Sequence, residues 1–96
     1  MAWQIDYTRQ AQRQLAKLDK AAARRILDYM DQQVAPKNDP RSLGKALTGQ
    51  KLGSYWRYRV GDYRIICDIQ DGILQVLVIS IGHRKQVYSK TRDQKL

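Results

Sequence analysis

The segment Gly82-His83-Arg84-Lys85-Gln86-Val87-Tyr88 brings together a proton carrier, fixed cations and a phenol. His83 is the only histidine of the chain, and Tyr88 lies four positions beyond Arg84. Imidazole and phenol groups move protons, and an arginine holds a developing negative charge. That combination suits phosphoryl chemistry. It follows residues 73–81, an almost unbroken apolar run, so it emerges where a buried strand ends.

The charge of the chain points to the substrate class. A formal charge of +9 comes from 18 Lys and Arg against 9 acids. Residues 1–40 hold seven bases and five acids, whereas residues 41–96 hold eleven and four. The excess in the second part implies a polyanion-binding face, with RNA the expected polyanion; the plain alternative is a solvated basic surface. All nine acids are aspartates, so mechanisms that need a glutamate are excluded. One histidine and one cysteine do not make a zinc site of the usual type, and no metal or cofactor is expected. No glycine-rich phosphate loop is present, so nucleotide hydrolysis lacks support.

The 96 residues suit one small domain, 1–96. The single Cys67 excludes an internal disulfide, fits a reducing cytoplasm and lies in an apolar strand as a packing residue. No apolar run approaches the ~20 residues of a membrane-spanning helix. The N-terminus is too polar for a signal peptide, so a cytoplasmic protein without membrane contact is expected.

These residues must be positioned by a small α+β fold. Residues 3–7 alternate apolar and polar as a first strand. Thr8 offers an N-cap to a helix with Ala11, Leu15 and Leu18 on one face, and Asp19 caps a second with the stripe Ala22, Ile26, Met30, Val34. Pro36 and Pro40 end it. A polar connection, residues 37–54, carries Lys37, Arg41, Lys45 and Lys51. Strands follow at 55–60, 63–70 and 73–81, joined by Gly61-Asp62 and Asp71-Gly72 as two-residue turns. The expected architecture is an N-terminal strand, a two-helix hairpin on a mainly antiparallel four-stranded twisted sheet, and a short C-terminal helix or tail.

Residues directly opposite across a hairpin share a face. A turn at Gly61-Asp62 sets Arg59 opposite Arg64, and Arg57 joins that face by the two-residue repeat. Tyr55 lies there too and is suited to stack on a base. No acid is expected beside these arginines. Trp56, Tyr58, Val60, Tyr63, Ile65 and Cys67 point to the helices, and Trp3, Tyr7 and Tyr29 are also assigned to the core. A turn at Asp71-Gly72 sets Arg64 opposite Ile79, which brings Ile81 and His83 onto the arginine face. Arg84 joins it only if the strand bends or bulges near Gly82.

Several pieces in this order resemble the RelE/ParE superfamily of bacterial toxins, and most closely the RelE-type mRNA interferases. They are Leu15-Ala16-Lys17-Leu18, Lys45-Ala46-Leu47-Thr48-Gly49, Tyr55 through Arg64 with its Gly61-Asp62-Tyr63-Arg64 turn, and Val78 through Arg84 to Tyr88. The resemblance spans nearly the whole chain. It implies the toxin of a type II toxin–antitoxin system that enters the ribosomal 30S A site and cuts bound mRNA without a metal, by attack of the ribose 2′-hydroxyl on the adjacent phosphate. It implies a RelB-like antitoxin that wraps and neutralises the toxin. The residues matching the family's functional positions are Arg57, Arg59, Arg64, Arg84 and Tyr88.

The chain departs from the best-known RelE pattern. Arginine replaces lysine at positions 57 and 59, His83 stands where a lysine precedes the last arginine, and the interval from Arg84 to Tyr88 is two residues shorter. A further branch pairs a glutamate with a histidine, and this chain has no glutamate. Arginine does not deprotonate, so the general base is expected to be His83 or Tyr88. Arg64 and Arg84 are expected to stabilise the five-coordinate phosphate, with Arg57 and Arg59 holding the backbone. Lys45, Lys51, Tyr55 and Lys85 are the expected RNA-binding residues. The alternatives are a ParE-like inhibitor of DNA gyrase and an inactive RNA-binding module.

Overall fold

The computed structural model describes residues 2–47 and 55–83. Strand β1 (Gln4–Tyr7) leads into helices α1 (Arg9–Lys17) and α2 (Lys20–Tyr29). A 3-10 turn at Pro40–Ser42 precedes β2 (Lys45–Ala46), β3 (Tyr55–Val60), β4 (Tyr63–Gln70) and β5 (Gln75–His83). The sheet order is β1-β5-β4-β3-β2, with β1 parallel to β5 and the other pairs antiparallel. The α+β fold agrees with expectation, but the sheet has five strands rather than four. Lys45-Ala46, read as part of an irregular connection, adds a short edge strand to β3. The expected C-terminal helix or tail falls outside the described residues, among which no helix is long and apolar enough to cross a membrane.

The helices begin where their caps stand. The Thr8 hydroxyl accepts the Ala11 N–H at 3.1 Å, and the Asp19 carboxylate accepts the Ala22 N–H at 3.4 Å. Ala11 and Ile26 are buried beneath the two helices. Beyond Tyr29 the apolar stripe continues through a π-helical turn, Met30–Val34, in which the Ala35 N–H reaches the Met30 carbonyl at 2.9 Å. The wider turn keeps both Met30 and Val34 in the core. They meet Tyr58, Ile65, Cys67, Val76, Val78 and Ile81, the helix-facing residues of β3, β4 and β5. Burial pushes the Cys67 thiol and the Tyr58 phenol well above their ordinary values, so both are inert packing groups.

Three aromatic side chains tie the chain between α2 and β2 to this core. Trp3 Nε1 donates to the Asn38 carbonyl at 3.2 Å, the Tyr58 hydroxyl to Pro40 at 2.8 Å, and Trp56 Nε1 to Leu43 at 2.6 Å. Each such bond contributes about 0.5–1.5 kcal/mol. Gly44 then passes close over β3 with φ of +75°. A Cβ there would lie 2.3 Å from the Arg57 carbonyl oxygen and 2.9 Å from Trp56 Nε1. Arg41, one of the bases of this connection, forms a two-pronged ion pair with Asp71, at 2.9 and 2.8 Å, that clamps the connection to the β4–β5 turn.

That turn differs from expectation. Asp71–Ile73 form a 3-10 turn and Leu74 takes a left-handed conformation (φ 51°, ψ 50°), so Gln70 pairs with Gln75. Ile73, expected inside the strand, is 64% exposed. A left-handed leucine costs about 1–2 kcal/mol. Its carbonyl receives the Gln4 N–H at 2.9 Å, which starts the parallel pairing of β1 with β5.

Two outcomes test these contacts. Gly44→Ala is expected to lose about 2–4 kcal/mol, from a strained φ and a clash with backbone; a urea titration would show a lower midpoint with an unchanged slope. The Arg41 guanidinium, first through its hydrogen bonds, holds the Asp71 carboxyl below its ordinary 3.8. A lowered folded value means the contribution is present above about pH 4 and disappears as pH falls through that value. Thermal melts of Asp71→Asn between about pH 6 and about pH 2 should therefore show a smaller acid-induced drop than the parent.

Candidate nucleic-acid interface

The register of β3 with β4 is the one the Gly61-Asp62 turn predicts, with Val60 opposite Tyr63 and Arg59 opposite Arg64. Gly61 supplies the positive φ, +58°, that the turn requires. Trp56, Tyr58, Val60, Tyr63, Ile65 and Cys67 face the helices, as expected. The other face of the sheet carries the cations in two rows. One row runs Lys45, Arg57, Ile66, Ser80 across β2, β3, β4 and β5, and the next runs Arg59, Arg64, Gly82. Lys45 is exposed, Arg57 half-buried and Arg59 exposed. Together with Gly44 they line a depression of about 250 Å³.

Like charges directly opposite each other destabilise a sheet. Arg59 faces Arg64, and Lys45 faces Arg57. Among the described residues no carboxylate lies within ion-pair distance of Arg57 or Arg59. Acids lie farther along the same face. Asp68 pairs with Tyr55 and continues a row through Leu77 of β5 to Asp6 of β1. Asp68 accepts from Gln70 at 3.2 Å, and Asp6 from Gln4 at 2.9 Å and from Gln75. The open face is therefore graded: cations toward β2 and the β3–β4 turn, carboxylates toward β1 and the β4–β5 turn. An anion is attracted to the first end and repelled from the second.

His83 is not on the arginine face. Arg64 pairs with Gly82 rather than Ile79, and His83 pairs with Tyr63 on the helix side. The two rings meet edge to face, with centroids 5.3 Å apart at 90°. The longer β4–β5 turn alone would have preserved the expected face, because it displaces the register by two residues. The extra residue is Ile79: Cys67 pairs with Val78, but Ile66 pairs with Ser80. One bulged residue moves every later side chain of β5 to the other face. It turns His83 away and puts Ser80 and Gly82 beside the arginines. Ser80 was missed because no local pattern in an apolar strand marks a bulge.

The bulge sits where β1 ends. The Thr8 N–H reaches the Val78 carbonyl at 2.9 Å, and the Thr8 hydroxyl donates to the Ile79 carbonyl at 2.9 Å. Beyond that point the Gln14 side chain of α1 accepts the Ile81 N–H at 2.6 Å. Side chains of the capping residue and of α1 thus take over from β1 along the edge of β5. Of the remaining expected residues, Tyr55 lies at the start of β3 beside Asp68. Lys51, Arg84, Lys85 and Tyr88 lie outside the described residues. The irregularity expected near Gly82 lies instead at Ile79, where the register of β5 shifts.

A family model described as the ParE toxin of type II toxin–antitoxin systems, parDE, matches residues 5–88. The chain belongs to this family of type II toxin–antitoxin toxins, within the RelE/ParE superfamily. Its fold is similar to that in the RelBE2 toxin–antitoxin complex of Mycobacterium tuberculosis, at 24% identity over 88% of this chain and 93% of that one, with a TM-score of 0.79. A mutant of the E. coli toxin RelE bound to an antitoxin RelBc peptide matches at 22% identity over 95% of each chain, TM-score 0.70. The RelE–RelB complex of Pyrococcus horikoshii matches at 24% identity over 88% of this chain and 97% of that one, TM-score 0.63. At these identities the likeness is one of fold. No curated protein matches the chain.

A cluster of repelling cations is expected to serve binding rather than folding. Arg59→Ala should change unfolding free energy by no more than about 0.5 kcal/mol, while lowering the salt concentration at which the protein leaves a heparin column.

Proposed function

We propose that this toxin is a ribosome-dependent mRNA endoribonuclease acting in the A site. The observation that supports the reading most directly is the pair of adjacent rows, Lys45 with Arg57 and Arg59 with Arg64, on the open face of the sheet. Arginine suits the task because it stays charged and donates paired hydrogen bonds to phosphate oxygens. In the proposed reaction the ribose 2′-hydroxyl attacks the adjacent phosphate, leaving a 2′,3′-cyclic phosphate and a free 5′-hydroxyl. Arg57 and Arg59 hold the backbone, and Arg64 with Arg84 stabilises the charge gathered on the five-coordinate phosphorus. Lys45, Lys51, Lys85 and Tyr55 hold the flanking nucleotides.

In this scheme Tyr88 acts as its phenolate, taking the proton of the 2′-hydroxyl, and water supplies the proton that the departing 5′-oxygen needs to leave as a hydroxyl. His83, the other candidate, stands edge-on to Tyr63 on the helix side of the sheet. The partner that restrains the activity is a RelB-like antitoxin, as in the complexes of the structural relatives. A second reading, a ParE-like toxin acting on DNA gyrase, draws its support from the match to the ParE toxin family.

One experiment separates the readings. The chain is expressed, and mRNA 5′ ends are mapped on stalled ribosomes beside an assay for gyrase poisoning. Cuts within A-site codons are the expected result; gyrase poisoning without cuts overturns the proposal, and neither outcome leaves a binding module. Tyr88→Phe is expected to slow cleavage by about 10²–10⁴ without loss of ribosome binding, whereas His83→Ala should stay near the parental rate. The reverse pattern moves the base to His83.

A further inference from the structure

The basic surface does not stop at the edge of the sheet. Arg25 lies on α2, in the helical layer, but its guanidinium extends over the β3–β4 turn. A Cβ placed on Gly61 would stand 3.3 Å from both of its terminal nitrogens and 3.6 Å from its central carbon. Gly61 is two residues from Arg59, a span of at most about 7 Å, and Arg59 faces Arg64. The absent side chain at Gly61 leaves the room that the guanidinium occupies. Among the described residues Arg25 has no carboxylate at ion-pair distance. Its neighbour Arg24 differs, being paired with Asp28 at 3.5 Å. Arg9, Arg13, Lys17 and Lys20 are exposed on the same helical layer.

We infer that Arg25 is an RNA-binding residue that carries the cationic path around the β3–β4 turn, from Arg59 and Arg64 on the open face to the helical layer. An RNA backbone leaving the sheet at that end meets a guanidinium placed to receive its next phosphate. The inference rests on the proposed RNA reading and extends it to a face that the sequence assigned no role. Arg25 contributes binding and direction to the strand, not chemistry, because it lies outside the rows that surround the scissile phosphate.

The test measures binding to ribosomes programmed with an mRNA whose A-site codon carries 2′-O-methyl groups, which block the attacking hydroxyl. Dissociation constants are taken across about 50–200 mM salt for the parent, Arg25→Ala, Arg25→Lys and Lys37→Ala. Arg25→Ala should weaken binding on the order of threefold to tenfold and reduce the slope of log K against log salt by about 0.7–0.9, one phosphate contact. Arg25→Lys should restore the slope, which a loss of folding would not allow. Lys37→Ala removes the same charge elsewhere and should leave the slope unchanged. An unaltered slope in Arg25→Ala, an equal loss in Lys37→Ala, or a parent chain that does not bind overturns the inference. Cleavage of the same mRNA without the methyl groups reports separately on the nuclease reading. A parent that binds with the expected slopes yet does not cut removes that reading and leaves the arginine path standing.

Discussion

Strand β5 has nine residues and its parallel neighbour β1 has four, so much of one edge of β5 has no strand to bond with. Buried backbone groups without partners cost too much to leave open. The chain resolves this with side chains of the first helix and its cap: Thr8 holds the Ile79 carbonyl and Gln14 takes the Ile81 N–H. Ile79 bulges at the handover. Two consequences follow for the rest of the structure. Val78 and Ile81, three apart rather than two, both reach the core beneath the helices. Every later residue of β5, through His83, also changes face, which fixes which of them lie next to the arginines.

The molecule keeps its stabilising and its destabilising contacts apart. Apolar burial, three aromatic donors to loop carbonyls and the Arg41–Asp71 clamp hold the connection, the turn and the core. The open face carries cations that repel one another, and none of them belongs to the buried cluster of the described residues. Such a local conflict in an otherwise consistent fold marks a site that serves something other than folding. The clamp also shows that a basic residue is not an RNA ligand by composition alone. Arg41 belongs to the more basic part of the chain, yet its guanidinium is committed to a carboxylate across a turn.

Membership in the family defines a toxin of a toxin–antitoxin pair, but the shared fold does not choose the target. One scaffold hosts different activities, and the site must carry the argument. Here the site is a cationic depression between β2 and β3, graded toward carboxylates on the far side of the sheet. A gradient of this kind draws negative charge to one end and repels it from the other, and it is built from the pairings of five strands rather than from any single motif.

Much of this was legible in the sequence because it depends on near neighbours. Thr8 and Asp19 cap helices through their own following residues, the apolar stripe of α2 follows its turn, and Gly61-Asp62 sets one register across a tight hairpin. The Arg57, Arg59 and Arg64 face follows from that turn and the alternation of a strand, so residue order alone determined it. The position of His83 was decided by tertiary structure. It depends on a turn closed by a left-handed leucine and on a bulge placed where β1 runs out, both set by partners far away in the chain. The same is true of Lys45, which becomes a strand residue only because Trp56 holds Leu43 and Gly44 admits a close approach to β3. Alternation is a local property of the backbone, whereas register is a sum over distant contacts, and one extra residue reverses it.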